Sequence, residues 1–76
     1  MDLMTAGTVR LRVKEILDER GISIVEAAKR TGLTYHTIAG FYKGFYVRIG
    51  TETIAALCDG LEIKPMDLFE YSPKTE

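Results

Sequence analysis

Five small or apolar residues, Ala28, Gly32, Leu33, Ile38 and Phe41, stand at offsets of 0, 4, 5, 10 and 13. Two short helices that cross at a tight turn satisfy that spacing. Ala28 is small enough for helices to touch, Gly32 supplies the turn, and Leu33, Ile38 and Phe41 are wedges for the angle between the helices. Signals on either side agree. Ser23-Ile24-Val25-Glu26 has the form of a capping box, in which the serine oxygen accepts from the backbone of Glu26 and the Glu26 carboxylate reaches back. A helix is expected from there through Ala27 and Ala28 to about Thr31. Thr34 is placed to cap the next one, which holds Ile38 and Phe41 and closes at Gly44.

The rest of the chain reads as more short helices. Val13, Ile16 and Leu17 lie at helical spacing ahead of Gly21, so a first helix is expected over 13–20. Just before it, VRLRV at 9–13 alternates apolar and basic residues, which fits either a short strand or the helix's first turn. After Gly44, FYVRIG is long enough for a loop that packs down and too short for an element of its own. A fourth helix is expected from Thr51 as cap through Ile54, Leu57, Cys58 and Leu61. Pro65 suits the first turn of a last short helix over PMDLFEY. With 76 residues there is material for one core, so the division is an arm at 1–8, one domain at 9–71 and a flexible tail at 72–76.

Composition excludes several classes. Hydrophobic residues are 46% and charged ones 28%, a globular balance, and no apolar run approaches the ~20 residues of a membrane span. The start has no secretory order of charge then apolar run, and the single cysteine cannot form an internal disulfide, so a reducing cytoplasm is expected. One histidine, His36, and one cysteine, Cys58, cannot make a four-ligand metal site, and Cys58 reads as a small buried hydrophobe. There is no nucleophile elbow, phosphate-cradling glycine loop or cofactor fingerprint, so neither an enzyme nor a cofactor is expected. Net charge is −1, yet through residue 48 there are eight basic against five acidic side chains, and after it two against six. That polarity permits a face directed at phosphates.

The helix pair resembles the helix-turn-helix of the Cro- and lambda-repressor-like family, also called the xenobiotic-response-element type. The SxxE entry at Ser23, Thr37-Ile38, Gly44, Thr53-Ile54 and the ending LEIKPMDLFEY carry the resemblance over roughly residues 9–71. It implies an all-α, compact five-helix DNA-binding domain, with or without a short N-terminal strand, acting as a sequence-specific transcriptional regulator and repressor. The third helix would enter the major groove of double-stranded DNA, and the N-termini of helices two and four would hold phosphates. Carried onto this chain, the groove face is Tyr35, His36, Ala39, Gly40 and Lys43. Ser23 and Thr34 stand at the helix starts, and Thr37, Lys43 and Arg48 are placed for phosphate. Lys29 and Arg30 lie late on helix two, where cations complement the helix dipole. Phe41 and Phe45 read as core, while Tyr42 and Tyr46 are open between packing and surface.

Three positions depart from the family. Ile24 stands where a phosphate-touching glutamine is common, Gly40 where a long polar reader is common, and Tyr42 where a glutamate often joins a buried ion pair. Ile24 and Gly40, with the net charge of −1 and an aromatic surface, support a second reading, a protein-interaction module on the same fold such as an antitoxin or anti-activator. For the DNA reading a homodimer is expected, since one helix with few polar donors binds weakly and two linked half-sites recover affinity. Its surface is expected either on helices four and five, with Leu68, Phe69 and Tyr71, or in pairing of VRLRV.

Overall fold

The computed structural model describes residues 7–46 and 48–74. The chain runs β1 (Thr8–Leu11), α1 (Val13–Arg20), α2 (Ile24–Thr31), α3 (Tyr35–Lys43), α4 (Thr51–Leu61), α5 (Pro65–Leu68) and β2 (Phe69–Ser72). None of the helices exceeds 11 residues, too short to stand alone in water, so each depends on the face it buries. That face is common to all of them. Leu11, Val13, Ile16, Leu17, Ala27, Ile38, Phe41, Leu57, Leu61 and Leu68 form one core.

The expected crossing of α2 and α3 is present. Gly32 closes α2 in the left-handed conformation (φ 77°) and donates its N–H to the Ala28 carbonyl at 2.9 Å. Ile38 is completely buried, Phe41 nearly so, and Leu33 packs half-buried against the core. The small residue at full burial is Ala27, while Ala28 sits half-buried beside it, one position from where the spacing placed the closest contact. The capping box is half made. Ser23 Oγ accepts from Glu26 N–H at 3.0 Å, but the Glu26 carboxylate accepts from Arg30 Nε at 3.2 Å, its neighbour one turn on.

The ends of the chain differ from the sequence reading. VRLRV, open between strand and helix, divides: β1 ends at Leu11 and α1 begins at Val13. PMDLFEY is helical only through Leu68, and Phe69–Ser72 turns into a strand antiparallel to β1, with Val9 opposite Tyr71 and Leu11 opposite Phe69. Arg12 N–H donates to the Leu68 carbonyl at 2.7 Å, which draws the chain out of the helix into the ladder. Arg10 clamps the outer face of that pair, with its Nε 2.5 Å from Glu70 and another nitrogen on Glu15 of α1. The strands thus reach one residue beyond 9–71 at each end, and Ser72 is paired where a free tail was expected. At α4 the cap is Gly50, with Thr51 already helical.

The loop after α3 packs through Tyr46, whose hydroxyl accepts from Leu11 N–H at 2.6 Å and whose ring meets Phe41 edge-on at 6.1 Å. Phe45 does the opposite of what its composition suggested. It is 78% exposed, outside the core.

Two helical glycines separate cleanly on space. A Cβ at Gly60 would fall 2.6 Å from the Arg30 carbonyl oxygen, because α4 crosses α2 there backbone against backbone. A Cβ at Gly40 would meet only the Phe45 carbonyl oxygen, at an ordinary 3.5 Å. Gly60→Ala is therefore expected to destabilise by about 1–3 kcal/mol through overpacking. Gly40→Ala is expected to stabilise by roughly 0.5–1 kcal/mol through helix propensity. Urea unfolding of both variants checks the opposite signs.

Candidate nucleic-acid interface

α3 starts at a fixed geometry. Thr34 Oγ1 accepts from Thr37 N–H at 3.1 Å and donates to the Thr37 hydroxyl at 2.9 Å. The Thr34 side chain is thereby committed to the cap. Thr37 receives that bond on its hydroxyl oxygen. Beyond the cap, Tyr35 is 56% exposed, His36 and Lys43 are exposed, and Ala39 and Gly40 are half-buried. Ile38 and Phe41 lie in the core, so the residues expected on the groove face occupy the side of α3 away from it.

A strut from α1 fixes the rotation of α3 about its axis. The Tyr42 hydroxyl donates to Asp18 Oδ1 at 2.7 Å, Lys14 Nζ donates to Asp18 Oδ2 at 2.9 Å, and the same ammonium lies 5.4 Å from the centre of the Tyr42 ring. Tyr42, where the family commonly has glutamate, thus still joins α3 to α1, by a charge-assisted hydrogen bond. Its packing was open in the sequence because Asp18 lies 24 residues away.

The cations divide by their partners. Arg10, Arg12, Lys14 and Arg30 face carboxylates of the same chain, and Arg20 donates to the Leu61 carbonyl. Lys43 and Arg48, at the end of α3 and in the loop after it, are exposed and make no ion pair among the described residues. Lys29 is likewise exposed, whereas Arg30, expected to serve the helix dipole, is held by Glu26. Intramolecular pairing thus leaves Lys43 and Arg48, together with Lys29 and Lys64, without an ion pair among the described residues.

Helix starts add backbone donors. At α2, Ser23 Oγ satisfies the Glu26 N–H, and Ile24, where a glutamine is common, packs half-buried against the core. At α4 no side chain caps the first turn, and Gly50 presents no bulk before its N–H groups. The Gly50 cap was missed because Thr51 is the better capping residue by type. Among the described residues no group of three His, Cys, Asp or Glu could hold a metal, and no helix is long and apolar enough to cross a membrane. Cys58 is half-buried rather than fully buried, and burial pushes its thiol up from the ordinary value.

A model of the Cro/C1-type helix-turn-helix DNA-binding domain matches residues 12–74. The chain belongs to that family. It is 30% identical over 61 residues to the uncharacterized HTH-type transcriptional regulator YozG of Bacillus subtilis, covering 80% of this chain and 73% of that one. The fold is similar to a crystal structure of a presumptive DNA-binding protein of Bacteroides fragilis, at a TM-score of 0.70 and 17% identity, over 83% of this chain and all of the other.

Asp18 is held below the ordinary carboxylate range, first by the Tyr42 hydrogen bond and then by Lys14. A depressed native value means that the contact contributes in full above the ordinary aspartate value of about 4, and that its contribution fades as pH falls through the native value. Tyr42→Phe should therefore lower Tm at neutral pH, with the gap to the unsubstituted protein closing in acid. Thermal melts from about pH 7 to pH 2 test this, and a gap independent of pH would mean the Asp18 charge is not what Tyr42 holds.

Proposed function

We propose that the protein is a transcriptional regulator, a repressor, that binds duplex DNA in the cytoplasm as a homodimer and reads the major groove with α3. The observation that carries this is the outward side of α3, bounded by Lys43 and Arg48, two exposed cations without an ion pair among the described residues. Tyr35, His36, Ala39 and Gly40 would face base edges, and Thr37, Lys43, Arg48 and the N–H groups at the starts of α2 and α4 would face phosphates. Ser23 and Thr34 then contribute mainly by holding those starts in shape. The regulator named among its relatives supports the same reading.

Binding by phosphate contacts must weaken steeply with salt. Anisotropy of labelled duplex across a salt series should show a linear loss in log affinity, and Arg48→Ala should flatten the slope by roughly one unit for its one contact. An unchanged slope would remove Arg48 from the interface.

The expected dimer surfaces can be narrowed. Leu68 is completely buried and serves the core of its own chain, whereas Tyr71 and Met66 are 67% and 79% exposed. Those exposed side chains also favour the second reading, a module that binds a partner protein. Sedimentation at micromolar concentration, with and without duplex, separates the two. A homodimer or DNA-induced pairing is expected, and a monomer that ignores low-salt duplex would overturn the DNA-binding reading and favour the protein-binding one.

A further inference from the structure

Three helices of this chain end with the same backbone closure, and one of them leaves its last apolar residue bare. In this closure a residue in the left-handed conformation donates back into the last turn, and the residue after it bonds five positions back, which sets its side chain toward the residue whose carbonyl it reaches. After α1, Gly21 is left-handed, Ile22 N–H reaches the Leu17 carbonyl at 2.9 Å, and Ile22 is half-buried on the core. After α4, Glu62 is left-handed, Ile63 N–H reaches the Cys58 carbonyl at 3.0 Å, and Ile63 is half-buried on the core. After α3, Gly44 N–H reaches the Phe41 carbonyl at 3.2 Å and Phe45 N–H reaches the Gly40 carbonyl at 2.8 Å. The residue it reaches has no side chain, and Phe45 stays 78% exposed.

The position without a side chain is on the outward side of α3. The Phe45 carbonyl lies 3.5 Å from where a Cβ at Gly40 would be, so the loop folds back against that point of the helix. The ring is thus carried just past the C-terminal end of α3, and in sequence it lies between Lys43 and Arg48, both exposed. An aromatic ring flanked in sequence by cations fits a surface that is apolar in one spot and anionic around it, which is how a thymine methyl sits between the phosphate rows of the major groove. We propose that Phe45 belongs to the DNA-reading face and supplies, through contact with a thymine methyl, the base discrimination that Gly40 cannot. This rests on the DNA-binding reading above. Gly40 and Phe45 act as one unit: the glycine keeps the helix face low, and the loop that folds back on it carries an exposed apolar ring.

The test is a cycle on protein and base. Sites selected from random duplexes by the unsubstituted protein are resynthesised with deoxyuridine for each thymidine in turn, which removes only the methyl group. Affinity of the unsubstituted protein and of Phe45→Ala is then measured at one salt concentration and across a series, alongside sedimentation. At one thymidine per half-site the unsubstituted protein should lose affinity several-fold to about tenfold on loss of the methyl. Phe45→Ala should bind the two duplexes alike, with an unaltered salt slope and a melting temperature close to the original. If Phe45→Ala still distinguishes thymidine from deoxyuridine as the unsubstituted protein does, or if neither protein distinguishes them, the inference is overturned while DNA binding stands. A weakened dimer with methyl discrimination intact would likewise overturn it and place Phe45 against a second copy. Failure of the unsubstituted protein to bind any duplex at low salt would overturn the DNA-binding reading, and the inference with it.

Discussion

Every helix here is too short to hold itself, so the fold depends on how helix ends are closed and aimed. Left-handed residues at 21, 32, 44 and 62 end the four longer helices within one or two residues and return the chain to the same core. A helix of eight residues gains little from its own hydrogen bonds, but Leu17, Ile38, Leu57 and Leu61, buried almost completely in a shared cluster, give each helix a face that only the others can cover. Stability is thus collective. The same arrangement makes α3 a suitable reading element: it is pinned from beneath by Ile38 and Phe41, from its start by Thr34, and from α1 by Tyr42, which leaves one side with no structural duty.

What could be read from the residues was whatever is encoded over a few positions. The five-residue spacing of the crossing, the serine and threonine caps and the left-handed glycines are local, and the helix boundaries they implied at α1, α2 and α3 are those observed. The expected groove residues on α3 followed from the same periodicity, since Ile38 and Phe41 define the buried side and hence its opposite. Pairings across the chain could not be read this way. β1 and β2 exchange hydrogen bonds between residues some sixty positions apart, and nothing in FEYS distinguishes the last turn of a helix from a strand until Arg10 and Arg12 are beside it. The strut from Tyr42 to Asp18 and the bond from Leu11 to Tyr46 were hidden for the same reason. Phe45 was misplaced by composition: its exposure follows from a closure that sets it against a glycine.

Charge shows a similar separation of levels. The net value of −1 argues against an anionic partner, and even the basic excess before residue 49 overstates the available charge, because Arg10, Arg12, Lys14 and Arg30 are engaged by carboxylates of their own chain. The relevant quantity is local. Arg10 joins β1, β2 and α1 by holding Glu70 and Glu15 together and lowering Glu15 below its ordinary value, a structural use of cationic charge at the sheet end. Lys43, at the end of α3, and Arg48, in the loop after it, make no such pair among the described residues. Internal neutralisation thereby sorts the basic residues into those that build the fold and those that can meet another molecule.

Gly40 is best understood within that division. A glycine in the middle of a nine-residue helix weakens it, and the structure shows no steric need for one, since a Cβ would make only an ordinary contact with the Phe45 carbonyl. Its neighbours supply the stability it withholds, which is why the tyrosine strut and the buried Ile38 matter on the opposite side of the same turn. A residue that costs stability and fills no steric need is most economically explained by what its missing side chain leaves open. Here that is the space over which the following loop folds, a loop whose Phe45 ring is exposed. The departure from the family at position 40 and the exposed aromatic at position 45 are then one feature, because the carbonyl of the first accepts the hydrogen bond of the second.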